Sequence, residues 1–201
     1  MTNAPLKKRF MALAILVGML LGVPVTELIL RTAYNHTGIR NGPWSMHPDA
    51  GSADSSPLVR AAIARYAVGS NTIDEAIYWH AARTSRDAAL HSSRNYVVHF
   101  SGEPDVSEFW SLTLYDEEDK LSRNPAEHYS LSNGIPLRRN AEGSFDIVVS
   151  RDAPSGEANW LSAPPSGNFS LLLRYYGASR AVLDAPETTT LPTITQLDGA
   201  P

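Results

Sequence analysis

The sequence predicts a mainly β protein, an antiparallel β-sandwich or barrel preceded by an N-terminal transmembrane helix and one short helix. Three observations carry this. An unbroken apolar run follows a basic cluster near the N-terminus. From residue 74 onward, large apolar side chains recur at every second position in several short stretches. Turn-forming residues separate those stretches, and no long helical pattern lies between them.

Phe10 to Val25 are sixteen residues without a charge or a hydroxyl, and Leu28-Ile29-Leu30 extend the run past Thr26 and Glu27. As a helix, residues 10–30 span about 31 Å, close to one hydrocarbon thickness. Glu27 then falls near the outer interface, where a charge is tolerated. Lys7-Lys8-Arg9 directly precede the run, so the positive-inside bias holds the N-terminus in the cytoplasm and exports the rest. The competing reading is a cleaved signal peptide, which would release the domain into the periplasm. The positions before Tyr34 make a poor cleavage site, because Arg31 stands where a small residue is wanted. The sequence therefore favours a single-pass protein of the cytoplasmic membrane with a periplasmic or other extracytoplasmic domain.

The expected organisation is an anchor over 1–33, a linker over 34–56, a β-sandwich over 57–192 and a tail over 193–201. Residues 35–56 are rich in Gly, Pro, Ser and Asp and lack periodicity. The short helix starts with Ser56 as N-cap and Pro57 at the first helical position, and Gly69 can end it. Alternation then marks the strands: Ile77, Trp79 and Ala81; Tyr96, Val98 and Phe100; Trp110, Leu112 and Leu114; Phe145, Ile147 and Val149; and Phe169, Leu171, Leu173 and Tyr175. Shorter pieces lie near His128–Leu131 and Ile135–Leu137. Ser132-Asn133-Gly134, Asn140 to Gly143 and Pro154-Ser155-Gly156 are the turns between them. Residues after Ala185 are Pro- and Thr-rich and read as a surface trail.

Composition excludes several functions. The chain has no cysteine, which removes disulfides, thiolate metal sites, a Cys nucleophile and a lipid-attachment cysteine. Residues 32–201 hold thirteen basic and twenty acidic residues, a net charge of −7. Such a domain suits neither a nucleic-acid backbone nor an anionic lipid surface, so no nucleic-acid partner is expected. No phosphate-binding glycine loop, nucleophile elbow or short His–x–His spacing is present, so no cofactor or metal is expected.

Four residues stand out as candidate ligand contacts. His80 and His99 would share a face if strands 76–82 and 95–101 formed a hairpin. With Glu108 or Asp116 they would make a general-base or metal site. The plainer reading makes both histidines solvent-facing. Arg174 can bind an anionic group, or pair across the sheet with a carboxylate such as Asp146. Trp110 can stack on a ligand ring or serve the core, and its alternation with Ser111 and Thr113 favours the core. Glu117-Glu118-Asp119 reads as a solvated turn rather than a calcium loop.

Five blocks follow in order: Phe109 to Asp116 (FWSLTLYD), Asn124-Pro125 with Tyr129-Ser130, Asn140 to Ile147 (NAEGSFDI), Glu157 to Leu161 (EANWL) and Phe169 to Tyr176 (FSLLLRYY). Together with Gly42-Pro43-Trp44, Gly51, Arg60-Ala61 and Glu75 to Tyr78, they resemble the bacterial family catalogued as domain of unknown function 1214, over roughly residues 42–192. The resemblance implies a jelly-roll-like β-sandwich and no assigned activity or catalytic residues. Longer relatives carry a further domain of unknown function, numbered 1254, before this one; here only the anchor and linker precede it. The resulting expectation is a membrane-anchored, non-enzymatic ligand-binding or scaffolding module for a small polar ligand or an envelope protein partner. The alternative is an envelope hydrolase using His80, His99 and a nearby carboxylate.

Overall fold

The structure is a computed structural model, and it describes the chain apart from residues 1–3, 68–69, 123, 125–127, 157 and 199–201. Gly69, expected to end the short helix, lies outside the described residues, as do Pro125 and Glu157 of the five ordered blocks. The chain forms two compact units, Met1–Thr37 with Ala53–Gly69, and Gly38–Ser52 with Ser70–Pro201.

The first unit is a pair of helices, α1 (Ala4–Thr37) and α2 (Pro57–Tyr66). Over Lys8–Thr37, α1 is long and apolar enough to cross a membrane. Its large side chains from Phe10 to Ile29 are exposed, as a lipid-facing surface requires. Helix α2 begins as its sequence predicts, with the Ser56 hydroxyl accepting from the Val59 N–H and Pro57 in the first turn. It packs on α1 and meets the charge there. The Tyr66 hydroxyl donates to Glu27 Oε1 at 2.7 Å and Arg65 Nε donates to Oε2 at 3.3 Å, while the Tyr34 and Tyr66 rings lie 5.2 Å apart. The Glu27 carboxylate thereby has two donors.

The second unit is mainly β. One sheet has six strands: β1 (Ile39–Asn41), β2 (Trp44–Met46), β3 (Ala76–Ala81), β5 (Val106–Asp116), β6 (Ser130–Ser132) and β9 (Phe169–Ala178), in the order β1-β2-β3-β9-β5-β6. The other has four: β4 (Tyr96–Phe100), β7 (Phe145–Ser150), β8 (Asn159–Ser162) and β10 (Thr193–Gln196), in the order β10-β4-β7-β8. A short helix, α3 (Arg180–Asp184), follows β9. The apolar set of each alternating strand faces inward. The two layers meet through aromatic contacts, Phe100 of β4 with Trp110 of β5 and Tyr96 of β4 with Phe169 of β9. Within this core, Trp79 Nε1 is the one buried side-chain donor without a partner among the described residues.

Four expectations need correction. The stretch 34–56 is not a plain linker, because it contributes β1 and β2; at three residues each, neither is long enough to show a period of two. The tail from 193 does not simply trail, because β10 pairs with β4 and buries Ile194. The sheets are not wholly antiparallel, because β7 and β8 run parallel. Ile135–Leu137 is not a strand.

Candidate functional site

Alternation in the three central strands builds the site. With Ile77 and Trp79 on β3, Leu112 and Leu114 on β5, and Leu171, Leu173 and Tyr175 on β9 facing the core, the intervening side chains must face outward. Register then sets their neighbours. Arg174 on β9 stands between Tyr78 on β3 and Ser111 on β5; one row along, Leu172 stands between His80 and Thr113. Direct cross-strand pairs of this kind lie about 4.5–5.5 Å apart at Cβ, so the outward row forms one continuous surface.

Arg174 is the half-buried centre of that surface. Its Nη1 donates to Thr113 Oγ1 at 2.8 Å and its Nη2 donates to the Tyr115 hydroxyl at 2.6 Å, with the guanidinium carbon 5.8 Å from the Tyr115 ring centre. The Thr113 hydroxyl in turn donates a hydrogen bond to Ser130 Oγ at 3.0 Å. Both partners are neutral hydroxyls. The carboxylate expected to pair with Arg174, Asp146, lies in the other sheet, and among the described residues Arg174 has no ion pair. A guanidinium has five N–H donors and is always charged, so two hydroxyls hold it in place without neutralising it.

Tyrosines flank it. The Tyr78 hydroxyl donates to Asn71 Oδ1 at 3.1 Å. Burial pushes that phenol up from its ordinary value, a hydrogen bond with Tyr176 adds to the effect, and the Arg174 charge opposes it. Tyr176 stacks on Phe109 at 4.3 Å between ring centres. Tyr78 therefore stays protonated at neutral pH as a donor beside the guanidinium.

His80 completes the row, and His47, just past β2, lies close to it. Burial pushes both imidazoles below their ordinary value of 6.5; His80 adds to the effect at His47, Asp119 opposes it at His80 and Asp49 opposes it at His47. The folded protein thus holds neutral two groups that the unfolded chain protonates below pH 6.5. The stability this neutrality carries is intact above that value and is lost as pH falls through it toward the depressed folded values. Between about pH 7 and about pH 5.5 the wild-type melting temperature should therefore fall more than that of a His47→Gln/His80→Gln variant. Parallel melting curves of the two proteins across that range would contradict the assignment.

The hairpin that would join His80 to His99 does not form. β3 pairs with β2 and β9, whereas β4 pairs with β10 and β7, and residues 82–95 cross from one sheet to the other. His99 instead meets Asp146 directly across β4 and β7, Nδ1 to Oδ1 at 2.7 Å, with both side chains nearly half exposed. An exposed pair of this kind contributes little, about 0–1 kcal/mol. Trp110 is wholly buried, and its indole N–H donates to Glu103 Oε1 at 2.6 Å. Among the described residues no three His, Asp or Glu side chains are grouped to hold a metal ion. The face thus unites His80 and Arg174 of the four candidates and adds Tyr78, Thr113, Tyr115 and Tyr176. The signal for those four was present as parity: in Tyr78-Trp79-His80, Thr113-Leu114-Tyr115 and Arg174-Tyr175-Tyr176 the polar members flank a core residue.

Comparison with known proteins places this face within a recognised segment. A family model described as "Protein of unknown function (DUF1214)" matches residues 75–180, which span β3 to β9 and carry Tyr78, His80, Thr113, Tyr115 and Arg174. No curated protein matches the chain. Among solved structures, the VPA0106 protein from Vibrio parahaemolyticus is similar at 25% identity with a TM-score of 0.59, over 72% of this chain and 36% of that one. A putative uncharacterized protein from Burkholderia cenocepacia is similar at 20% identity with a TM-score of 0.46, over 61% of this chain and 29% of that one. The chain spans about a third of the length of these two structures.

Proposed function

The chain belongs to the family of proteins of unknown function DUF1214, and from that premise we propose that it is a membrane-anchored binding module whose six-stranded sheet recognises a small polar ligand through an anionic group. One observation carries this reading. Arg174 is a half-buried cation held by two neutral hydroxyls, with no ion pair among the described residues. Partly removing a charge from water is costly unless an opposite charge meets it, and an arriving carboxylate, phosphate or sulfate meets it with paired N–H donors. Tyr115, whose hydroxyl accepts from Arg174, keeps its own O–H to donate at the same point. Support for the anchor comes from the apolar run of α1 and from Lys7-Lys8-Arg9 directly before that run, which favour an N-terminus inside and a β domain outside the cytoplasmic membrane. The hydrolase alternative loses its main support with His80 and His99 in different sheets.

The test uses the full-length chain in detergent. Acetate, citrate, phosphate and sulfate are each compared with chloride at matched ionic strength. At least one should raise the wild-type melting temperature, because a ligand at a hundredfold its Kd stabilises by about 2.7 kcal/mol. The same salt should leave Arg174→Gln unmoved. Four anions without effect, or equal stabilisation of the variant, would overturn the binding reading. For the placement, carbonate-washed membranes should retain the chain, and protease outside intact spheroplasts should digest the β domain; a soluble or protected domain would refute it.

A further inference from the structure

Arg174 and Tyr175 are consecutive on β9 and so project to opposite sides of the sheet. On the inner side, where β4 ends at Phe100, a cleft of about 430 Å³ opens between residues 100–105, the Tyr175 ring, α3 and residues 188–192. That volume is in the range of small-molecule sites.

Two observations independent of each other point to a ligand. Tyr175 lines the cleft, and among the described residues no protein group is bonded to its hydroxyl, which is not one of the sealed buried atoms and so is reached from the cleft. Beside it stands the Glu103 carboxylate, fixed by the Trp110 indole N–H on one oxygen and by Arg139 on the other. Each of those oxygens keeps lone-pair capacity. Phe100, Val182, Leu191 and Pro192 supply apolar walls.

The chemistry of these groups selects a class. Burial, and then the Glu103 charge, push the Tyr175 phenol up, so it is a donor at every physiological pH. Its complement must accept a hydrogen bond from a phenol while donating one to a carboxylate. An ammonium group donates only. A carboxylate or phosphate accepts only and is repelled by Glu103 and Asp105. A hydroxyl does both, and a ring or chain of hydroxyls offers C–H faces to the apolar walls. We propose that this cleft is a second binding site, distinct from the Arg174 face, for a small neutral polyol of the sugar class, held by the Tyr175 hydroxyl and the Glu103 carboxylate.

The test is a titration of the full-length chain in detergent with glucose, N-acetylglucosamine and mannitol. Tryptophan fluorescence is the readout, because Trp110 shares Glu103 with the ligand. At least one probe should give a saturable change. Tyr175→Phe removes only a hydroxyl without an internal partner, so its melting temperature should match wild type while the midpoint of the titration rises at least about tenfold, or about 1.4 kcal/mol. Glu103→Gln keeps an acceptor for Trp110 and should weaken binding as well. No saturable response to any of the three, equal binding by Tyr175→Phe and wild type, or tighter binding of ethanolamine than of every polyol would overturn the proposal. Failure here leaves the anion test untouched, since that test reads Arg174 on the opposite side of the sheet.

Discussion

Trp110→Ala should cost the protein about 3–5 kcal/mol, the range for truncating a buried large aromatic side chain. Trp110 is wholly buried at the meeting of the two sheets. Its ring lies 5.0 Å from Phe100 and 5.6 Å from Phe145, and Arg139 covers Phe145 at 4.8 Å. Truncation would open a cavity between these rings and remove the donor that fixes Glu103. Against a typical stability of about 5–15 kcal/mol, such a loss approaches unfolding. For a chain of this size it corresponds to a fall in melting temperature of roughly 6–20 °C. Thermal unfolding of the full-length variant in detergent is the measurement. Trp110→Phe keeps most of the stacked surface and should lose much less. An alanine variant melting within a degree or two of wild type would contradict the core role.

The core residues were legible in the sequence because burial on one face imposes a period of two. Ile77 and Trp79, Trp110 and Leu112, and Leu171 and Leu173 all alternate, and all are buried. Partner choice was not legible, because alternation fixes which side of a strand is buried and says nothing of which strand lies beside it. Strands β3 and β4 follow each other closely in sequence, and a hairpin was the simplest inference. Yet both faces of the core need covering, and residues 82–95 carry the chain across to do so. For the same reason Asp146 serves His99 rather than Arg174. Strands β1, β2 and β10 were missed because three or four residues in a Pro- and Thr- or Ser-rich context carry no measurable period. The parallel run of β7 and β8 was hidden behind Pro154-Ser155-Gly156, which reads locally as a hairpin turn. The site suffered from the same limit. Arg174 and His80 were visible as polar residues in apolar strands, but their being brought to one surface depends on β9 lying between β3 and β5.

Gly51→Ala should be the most damaging conservative change near the Arg174 face, at about 2–5 kcal/mol. Two costs add. Gly51 has φ +76°, the left-handed region that disfavours a Cβ by about 1–2 kcal/mol. A Cβ there would also lie 2.4 Å from the Asn71 carbonyl oxygen and 2.7 Å from that of Ser70, and overpacking of this kind costs about 1–3 kcal/mol. The obstruction is backbone, so no side chain can swing away. The consequence reaches the site, because Asn71 accepts the hydrogen bond from Tyr78, and Tyr78 stands across from Arg174. Displacing residues 70–71 should loosen that phenol and weaken anion binding beyond the loss of stability. Gly42→Ala provides the comparison. Gly42 has φ +58° but nothing within 4 Å of its Cβ position, so it carries the conformational cost alone, about 1–2 kcal/mol. Melting temperatures of the two variants separate the terms. Equal losses would mean that the 70–71 backbone yields without cost, and would remove Gly51 as the residue that sets Tyr78 in place beside Arg174.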